Sequence, residues 1–193
     1  IKNYLGDEKW SDPRKIPNSA ADSEPVVLGL DDHGLVFFRR NDGWRVSRFT
    51  AEIAGEPIHL PDLPHCALSV TRVNGRVLLV SRFDDDHLEA RWLDWNEKPV
   101  LTAPWELELR SQVPVAMMQD PGDKRLLIVT SIPNSRGGQM CMRVTWFAPA
   151  GERLAQQETV WTRGEASGNN CTTRPVIAFT NDGQLYIFHT GWP

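Results

Sequence analysis

Two short acidic runs that end in a histidine are the residues of this chain best suited to chemistry. The first comprises Asp31, Asp32 and His33, and the second comprises Asp84, Asp85, Asp86 and His87. Carboxylate and imidazole groups can bind a metal ion or transfer protons as general acids and bases. Adjacent aspartates on a turn point in different directions, however, and turns favour aspartate because it tolerates unusual backbone angles. We therefore interpret the first run as a solvated turn and retain the second run as a candidate ligand-binding site.

Three basic side chains extend this candidate site. Arg136 lies in the glycine-containing segment 134–138, and Arg174 precedes the last apolar segment of the chain. A guanidinium group can bind a carboxylate or a phosphate through two parallel hydrogen bonds, although an ordinary ion pair or a solvated loop residue is the alternative for both arginines. His65 precedes an apolar segment, where it either reaches a ligand or packs as a hydrogen-bonded imidazole. The candidate ligand-binding residues are therefore Asp84, Asp85, Asp86, His87, Arg136, Arg174 and His65.

The sequence lacks the motifs of several enzyme classes. It has no G-x-S-x-G and no H-E-x-x-H motif, and its three cysteines form no C-x-x-C pair. We therefore expect no metal ion and no cofactor, and we interpret the cysteines as free thiols. Glycoside hydrolysis needs two carboxylates that face each other across a cleft, and residues 84–86 together with Glu24 or Asp62 could supply them. Catalysis stays open on these residues, but a non-catalytic role is favoured.

The composition of the chain excludes two classes of partner. Its 193 residues include 21 Lys and Arg against 25 Asp and Glu, which gives a formal net charge of −4. Proteins that bind nucleic acid usually carry a basic excess. The longest apolar runs are only a few residues long, too short for a membrane-spanning helix. With 40% hydrophobic residues, the chain is expected to fold around a sizeable core.

One pattern of apolar segments recurs four times and must position these side chains. Each copy has an apolar stretch, a polar turn with a glycine and a second apolar stretch, at residues 25–40, 66–83, 114–131 and 175–190. Val, Ile, Leu and Phe dominate both arms, which predicts β-hairpins covered on both faces. An alternating third strand and a more polar fourth strand follow the first three hairpins. The third strands are predicted at 44–50, 87–95 and 139–147, and the fourth strands at about 56–60, 100–107 and 157–162.

This order of strands resembles a β-propeller, whose four-stranded antiparallel blades repeat about every 40–50 residues. The turn glycines of the four copies are 41, 47 and 61 residues apart. Residues 10–13 (WSDP) and 175–188 (PVIAFTNDGQLYIF) are similar to blades of sialidase-like propellers, although the Asp-box of that family, S/T-x-D-x-G-x-x-W, is absent. The resemblance implies an all-β fold with an outer strand at about 10–16, blades at about 25–60, 66–107 and 114–162, and a partial blade at 174–190.

The resemblance also sorts the candidate residues by face. In a propeller, the turns between second and third strands and the connections between blades lie at the mouth of the central channel. Residues 84–87 are then expected at this face with His65, Arg136 and Arg174, and residues 31–33 at the opposite face. Of the eight tryptophans, those on third strands are expected to pack between blades, namely Trp44, Trp92 and Trp146. Those better placed to stack on a sugar are Trp10, Trp105, Trp161 and Trp192.

Three blades and one hairpin are too few to close a propeller, which needs roughly four to eight blades. Unless the blade count is wrong, we expect a fragment whose ring is completed by another chain or by further residues. The leading hypothesis is a non-catalytic module for binding or assembly within a larger protein or complex. The alternatives are part of a sialidase-like or other glycan-processing enzyme, or a lectin that binds a glycan.

Overall fold

The computed structural model describes residues 4–6, 9–10, 18, 25–64, 66–84, 86–133, 140–150, 152–162 and 174–188. Every regular element in these ranges is a β-strand, so the all-β prediction is confirmed. The chain divides into two compact units, one formed by residues 1–65 and 95–100 and the other by residues 66–94 and 101–193. The described elements include no helix with the length and apolar character needed to cross a membrane.

The first unit contains a hairpin and one four-stranded antiparallel sheet. The hairpin pairs β1 (Tyr4–Gly6) with β2 (Lys9–Trp10). Sheet one has the sequential order β3-β4-β5-β6, and its strands are β3 Val26–Gly29, β4 Gly34–Arg40, β5 Gly43–Phe49 and β6 Ile58–Leu60. Four successive residues of β4 are at most 5% exposed, namely Leu35, Val36, Phe37 and Phe38. Because successive side chains point to opposite faces, β4 is buried on both sides.

The remaining strands form three further sheets. Sheet two has the order β10-β9-β8-β7, and β11 also pairs with β9. Sheet three has the order β12-β13-β14-β15, and sheet four consists of β16 and β17. The strands are β7 Leu68–Val73, β8 Arg76–Asp84, β9 His87–Trp95, β10 Pro99–Leu101, β11 Trp105–Arg110, β12 Ala116–Gln119, β13 Leu126–Pro133, β14 Met140–Ala150, β15 Arg153–Thr162, β16 Val176–Phe179 and β17 Leu185–Phe188.

In the second unit, the sheets meet through their first strands and through their faces. The first strand of sheet three, β12, lies beside both β7 and β16, the first strands of the sheets before and after it. Successive side chains of β13 pack alternately against sheet two and sheet four. Leu126 and Ile128 belong to the apolar cluster shared with sheet two, whereas Leu127 and Val129 belong to the cluster shared with sheet four. All four are 0% exposed, so sheet three depends on a neighbour on each side.

The turns between first and second strands differ in length from sheet to sheet. They comprise residues 30–33, 74–75, 120–125 and 180–184. The shortest is Asn74-Gly75, where both residues have positive φ angles of 49° and 84°. This combination fits the two-residue hairpin turns for which Asn-Gly is the preferred pair. The side chain of Gln119 joins this turn to sheet three, since its Oε1 accepts from the Asn74 backbone N–H at 3.1 Å and its Nε2 donates to Asn74 Oδ1 at 2.7 Å.

A guanidinium group packs on a third-strand tryptophan in both sheet two and sheet three. The Arg76 guanidinium lies 4.6 Å from the ring centroid of Trp92, and the Arg125 guanidinium lies 4.6 Å from that of Trp146. In each case the arginine lies two residues before the residue that pairs with the tryptophan. Such a contact contributes on the order of 0.5–1 kcal/mol at an exposed site. The same contact therefore recurs at one register position in sheets two and three.

Sheet one has a variant of this arrangement. The corresponding register positions hold His33 and Arg48, and the Arg48 Nη2 atom lies 3.3 Å from His33 Nδ1. Asp32 accompanies them, with its Oδ1 atom 2.5 Å from His33 Nδ1 and its Oδ2 atom 3.6 Å from Arg48 Nη2. The hydrogen bond with His33 is the main cause that lowers the pKa of Asp32. Asp31 and Asp32 are exposed, which agrees with a solvated turn.

Two predictions about the strands are wrong. The fourth strand predicted at about 100–107 is two strands, β10 and β11, because Pro104 lacks a backbone N–H and interrupts the pairing with β9 before it resumes at Trp105. The arms of the hairpins are not all covered on both faces. In β3 and β16, exposed residues alternate with more buried ones, and Val27 and Val176 are 58% and 61% exposed. The outer strand predicted at about 10–16 lies almost entirely outside the described residues.

Ile128 offers a test of the packing between sheets two and three. Replacing this fully buried side chain by Ala should lower the free energy of unfolding by about 2–4 kcal/mol, because it removes apolar contacts and leaves a cavity. Urea denaturation followed by tryptophan fluorescence measures the change. Val100→Ala is the control, since Val100 is 59% exposed on a strand and should change stability by less than about 0.5 kcal/mol. A loss for Ile128→Ala no larger than for the control would contradict the described packing.

Candidate ligand-binding site

The second acidic run forms the turn between the second and third strands of sheet two. Strand β8 ends at Asp84 and β9 begins at His87, and these two residues pair across the turn. Asp86 has a φ angle of 73°, in the left-handed region that is uncommon for residues other than glycine. Its carbonyl oxygen accepts a 2.8 Å hydrogen bond from the backbone N–H of Ser111. The turn is therefore held against the segment that follows β11.

Arg82 is the cation of this turn. Its Nη1 atom donates to Oδ1 of Asp86 at 3.4 Å and to the carbonyl oxygen of Gln112 at 3.1 Å. The side chains of Arg82 and Asp86 are 42% and 33% exposed. Solvent therefore screens the pair, which contributes on the order of 0–1 kcal/mol to stability. Both charged groups remain accessible to a ligand.

An open cleft of about 420 Å³ is lined by Cys66, Arg82, Phe83, Asp84 and Asp86. A smaller cavity of about 70 Å³ is also lined by Arg82. Its other residues are Ala67, residues of β7, β8 and β9, and the segment 112–115. Phe83 is 45% exposed, so an apolar ring face lies beside one guanidinium group and two carboxylates. This combination suits a ligand that has both hydroxyl groups and an apolar face.

The Cys66 thiol donates a hydrogen bond to the carbonyl oxygen of Arg82. Burial raises the pKa of this thiol above its ordinary value, and the hydrogen bond with Arg82 only partly opposes that effect. A thiol with a raised pKa holds little thiolate at neutral pH and is a poor nucleophile. The expectation of free thiols stays a prediction, and Cys171 and the side chain of Cys141 lie outside the described residues.

The structure brings together only part of the predicted site. Asp84 and Asp86 line the cleft. The His87 ring packs beside the cleft residue Phe83, with ring centroids 6.0 Å apart. Three predicted residues lie outside the described part of the chain, namely His65, Asp85 and Arg136.

Arg174 links the segment before β16 to the beginning of β7. Its Nη2 atom donates to the carbonyl oxygen of Leu68, the first residue of β7, at 2.6 Å. Nearby in the sequence of β7, the Ser69 hydroxyl donates to the carbonyl oxygen of Val115 at 2.7 Å. These bonds link the beginning of β7 to the segments that lead into β12 and β16. Arg174 does not line the cleft, so its described contact holds first strands together.

The sequence reasoning missed Arg82, Phe83 and Gln112. It assigns the first two to an apolar hairpin arm and gives Gln112 no role. A signal is present in the sequence at the end of β8, where the apolar run 77–80 (VLLV) gives way to the mainly polar run 81–86 (SRFDDD). In the structure, residues 77–81 are buried, whereas residues 82–84 are not. Gln112 offers no comparable signal, because it acts through its backbone carbonyl oxygen.

The third-strand tryptophans of the second unit contact the following sheet, as predicted. Trp92 is 3% exposed, and its Nε1 donates to the carbonyl oxygen of Glu152, between β14 and β15, at 2.8 Å. The Trp146 ring lies 6.2 Å from that of Phe179 in β16. Trp105, one of the candidates for stacking on a sugar, is largely buried: its ring lies 5.9 Å from that of Trp92, and the residue is only 7% exposed. The side chains of Trp10, Trp161 and Trp192 lie outside the described residues.

Within the described ranges, no three His, Cys, Asp or Glu side chains are grouped so that they could hold a metal ion. Family models, curated proteins and solved structures give no match to this chain. Function is therefore inferred from the cleft and from the arrangement of the sheets.

The raised pKa of Cys66 has a measurable consequence. Stability that depends on the neutral thiol is fully present below the ordinary thiol pKa and is lost as the pH rises through the raised value. At pH 8, native Cys66 should react with iodoacetamide several-fold more slowly than the same residue in the urea-unfolded chain, because less thiolate is present. Peptide mass mapping measures both rates, and a Cys66→Ser variant identifies the labelled peptide. Equal rates in the two states would contradict the burial of this thiol.

Proposed function

We propose that this chain is part of a β-propeller and serves as a non-catalytic binding and assembly module of a larger protein or complex. The observation that carries the proposal is the position of β12 beside both β7 and β16. These are the first strands of three successive sheets, and first strands adjoin one another around the channel of a propeller. The sequential order of the four strands of sheet three agrees with the order within a blade.

The two-sided burial of β13 supports the same proposal. Its residues alternate between a cluster with sheet two and a cluster with sheet four. A propeller blade lies between two other blades, so its second strand must be apolar on both faces. The recurrent contact of Arg76 with Trp92 and of Arg125 with Trp146 also favours copies of one blade. Closure of the ring by another chain or by further residues is part of the proposal.

The cleft at the turn of sheet two is the ligand site of the proposed module, and a glycan is the ligand class that suits it best. Phe83 offers an apolar face to the C–H groups of a sugar ring. Arg82 supplies donors, and Asp84 and Asp86 supply acceptors for sugar hydroxyl groups. The volume of about 420 Å³ lies within the range of roughly 300–1,000 Å³ that is usual for ligand sites.

A glycan-processing enzyme is the second candidate, because two carboxylates line the same cleft. Glycoside hydrolysis uses one carboxyl group as an acid and a second as a base or a nucleophile. We rank this function second, since Asp84 and Asp86 belong to one turn, whereas glycoside hydrolysis needs two carboxyl groups that face each other across the bond. The Cys66 thiol is also a poor alternative nucleophile, because burial raises its pKa.

A glycan array and a panel of fluorogenic glycosides test the proposed site on the purified chain. We expect glycan binding without turnover, and we expect Arg82→Ala and Phe83→Ala to weaken binding at least tenfold because each removes one side of the cleft. Arg153→Ala is the matched control, since Arg153 is exposed and lies outside this cleft. Hydrolysis of any glycoside that Asp84→Asn or Asp86→Asn abolishes would contradict the non-catalytic role and favour the second candidate.

A further inference from the structure

Sheet four has one covered face and one open face. The side chains that pack on sheet three are Ile177, Phe179, Leu185 and Ile187. On the opposite face, Val176, Tyr186 and Phe188 are 61%, 45% and 57% exposed. The rings of Tyr186 and Phe188 are stacked, with centroids 6.2 Å apart and an angle of 13° between their planes. A row of large apolar side chains on one sheet face is typical of an interaction surface.

The register of the hairpins identifies the counterpart of this open face in sheet three. Both hairpins have four consecutive pairs of residues. The first and third pairs of sheet four, Val176–Phe188 and Ala178–Tyr186, correspond to the pairs Ala116–Val129 and Met118–Leu127 of sheet three. In sheet three, this face is covered by sheet four. The open face of sheet four is therefore the position that the next sheet covers.

Sheet two repeats this relationship. The residue that pairs with the third-strand tryptophan is Leu78 in sheet two and Leu127 in sheet three. Leu78 and Val80 are at most 1% exposed, and they pack in one cluster with Leu126 and Ile128 of sheet three. In both earlier sheets of this unit, the first hairpin of the following sheet thus provides the cover.

We propose that the open face of sheet four is the docking surface for the first hairpin of a further sheet of this same repeat, contributed by polypeptide outside this chain. The occupant presents large apolar side chains at alternate positions of two antiparallel strands, as Ile177, Phe179, Leu185 and Ile187 do toward sheet three. This docking surface continues the series of sheet-to-sheet interfaces in the second unit. This inference rests on the proposed propeller, in which the occupant would be the next sheet of the ring.

A second copy of this chain is a poorer occupant. In sheet one, the face that would have to provide the cover carries Val27, Val36 and Phe38. Val27 is 58% exposed, but Val36 and Phe38 are already buried, at 5% and 1% exposure. A face-to-face contact between two open faces would involve only three large side chains from each copy, each about half exposed. The cluster between sheets three and four contains eleven apolar residues, so six side chains form a much smaller contact than the one that sheet four already makes.

A cyclised peptide that spans residues 174–188 is the probe for this surface. It carries the covering side chains, and cyclisation is needed because an isolated hairpin is only marginally stable in water. Titration of the labelled peptide with the intact chain, followed by fluorescence anisotropy, should show saturable binding of one peptide per chain. Val176→Lys or Phe188→Lys in the chain should weaken this binding at least tenfold. A peptide with Ile177→Lys and Ile187→Lys should not bind.

Two controls separate docking from unfolding. Val176 and Phe188 are exposed, so their lysine variants should keep the circular dichroism spectrum and melting temperature of the wild-type chain. Val100→Lys, at another exposed strand position (59%), should bind the peptide as the wild type does. Absence of saturable binding, or equal binding by the Phe188→Lys variant, would overturn the proposal. A discrete dimer of the chain alone that Phe188→Lys dissociates would also overturn it and make a second copy the occupant.

Failure of this proposal can be distinguished from failure of the propeller itself. Nuclear Overhauser contacts between β7 and β12, and between β12 and β16, report whether the first strands adjoin in solution. If these contacts are present and the peptide does not bind, only the docking surface is wrong. If these contacts are missing, the proposed propeller is wrong as well.

Discussion

Burial of the second strand on both faces is the constraint on which the rest of this fold depends. In β4, β8 and β13, runs of four or more successive residues are buried, so one neighbouring layer cannot satisfy such a strand. In sheet three, neighbouring sheets cover both faces of β13: Leu126 and Ile128 pack against sheet two, and Leu127 and Val129 pack against sheet four. The stacking of sheets, the contacts of the third-strand tryptophans and the open face of sheet four all follow from this requirement.

The two ends of sheet two carry different polar arrangements. At the end with the Asn74-Gly75 turn, Arg76 packs on Trp92 and pairs with Asp94 at 3.3 Å, so its charge serves the structure. At the other end, Arg82 lies against a turn strained at Asp86 and faces an open cleft. Backbone strain and accessible charge at one place are typical of a site that binds something. The Arg76–Trp92 contact and the proposed ligand site therefore lie at opposite ends of β8.

Much of the strand pattern could be predicted because it depends on local signals. The alternation in residues 87–95 predicted β9 with its observed bounds, and Asn74-Gly75 predicted a tight hairpin turn. The burial of Trp105 could not be predicted, since it depends on Trp92 from another strand. Only part of the candidate site could be predicted. The predicted residues include Asp84 and Asp86, which line the cleft, but Arg82 is placed in a hairpin arm. Its role arises from contacts with Asp86 and with a carbonyl oxygen 30 residues away, at Gln112.

The unequal turns between first and second strands have a consequence for how such a chain can change. Residues 74–75 join the first two strands of sheet two, and residues 120–125 join the first two strands of sheet three. Although these turns differ in length, the second strand pairs with a third strand in both sheets. The number of residues in this turn therefore does not determine how the strands pair. Lengthening a flexible loop also costs little conformational entropy. A longer turn would displace side-chain links at this end, among them the Asn74–Gln119 amide pair and the bond from Gln119 Nε2 to the Lys124 carbonyl oxygen. This end is the natural place to insert a tag or a foreign loop without disturbing the cleft.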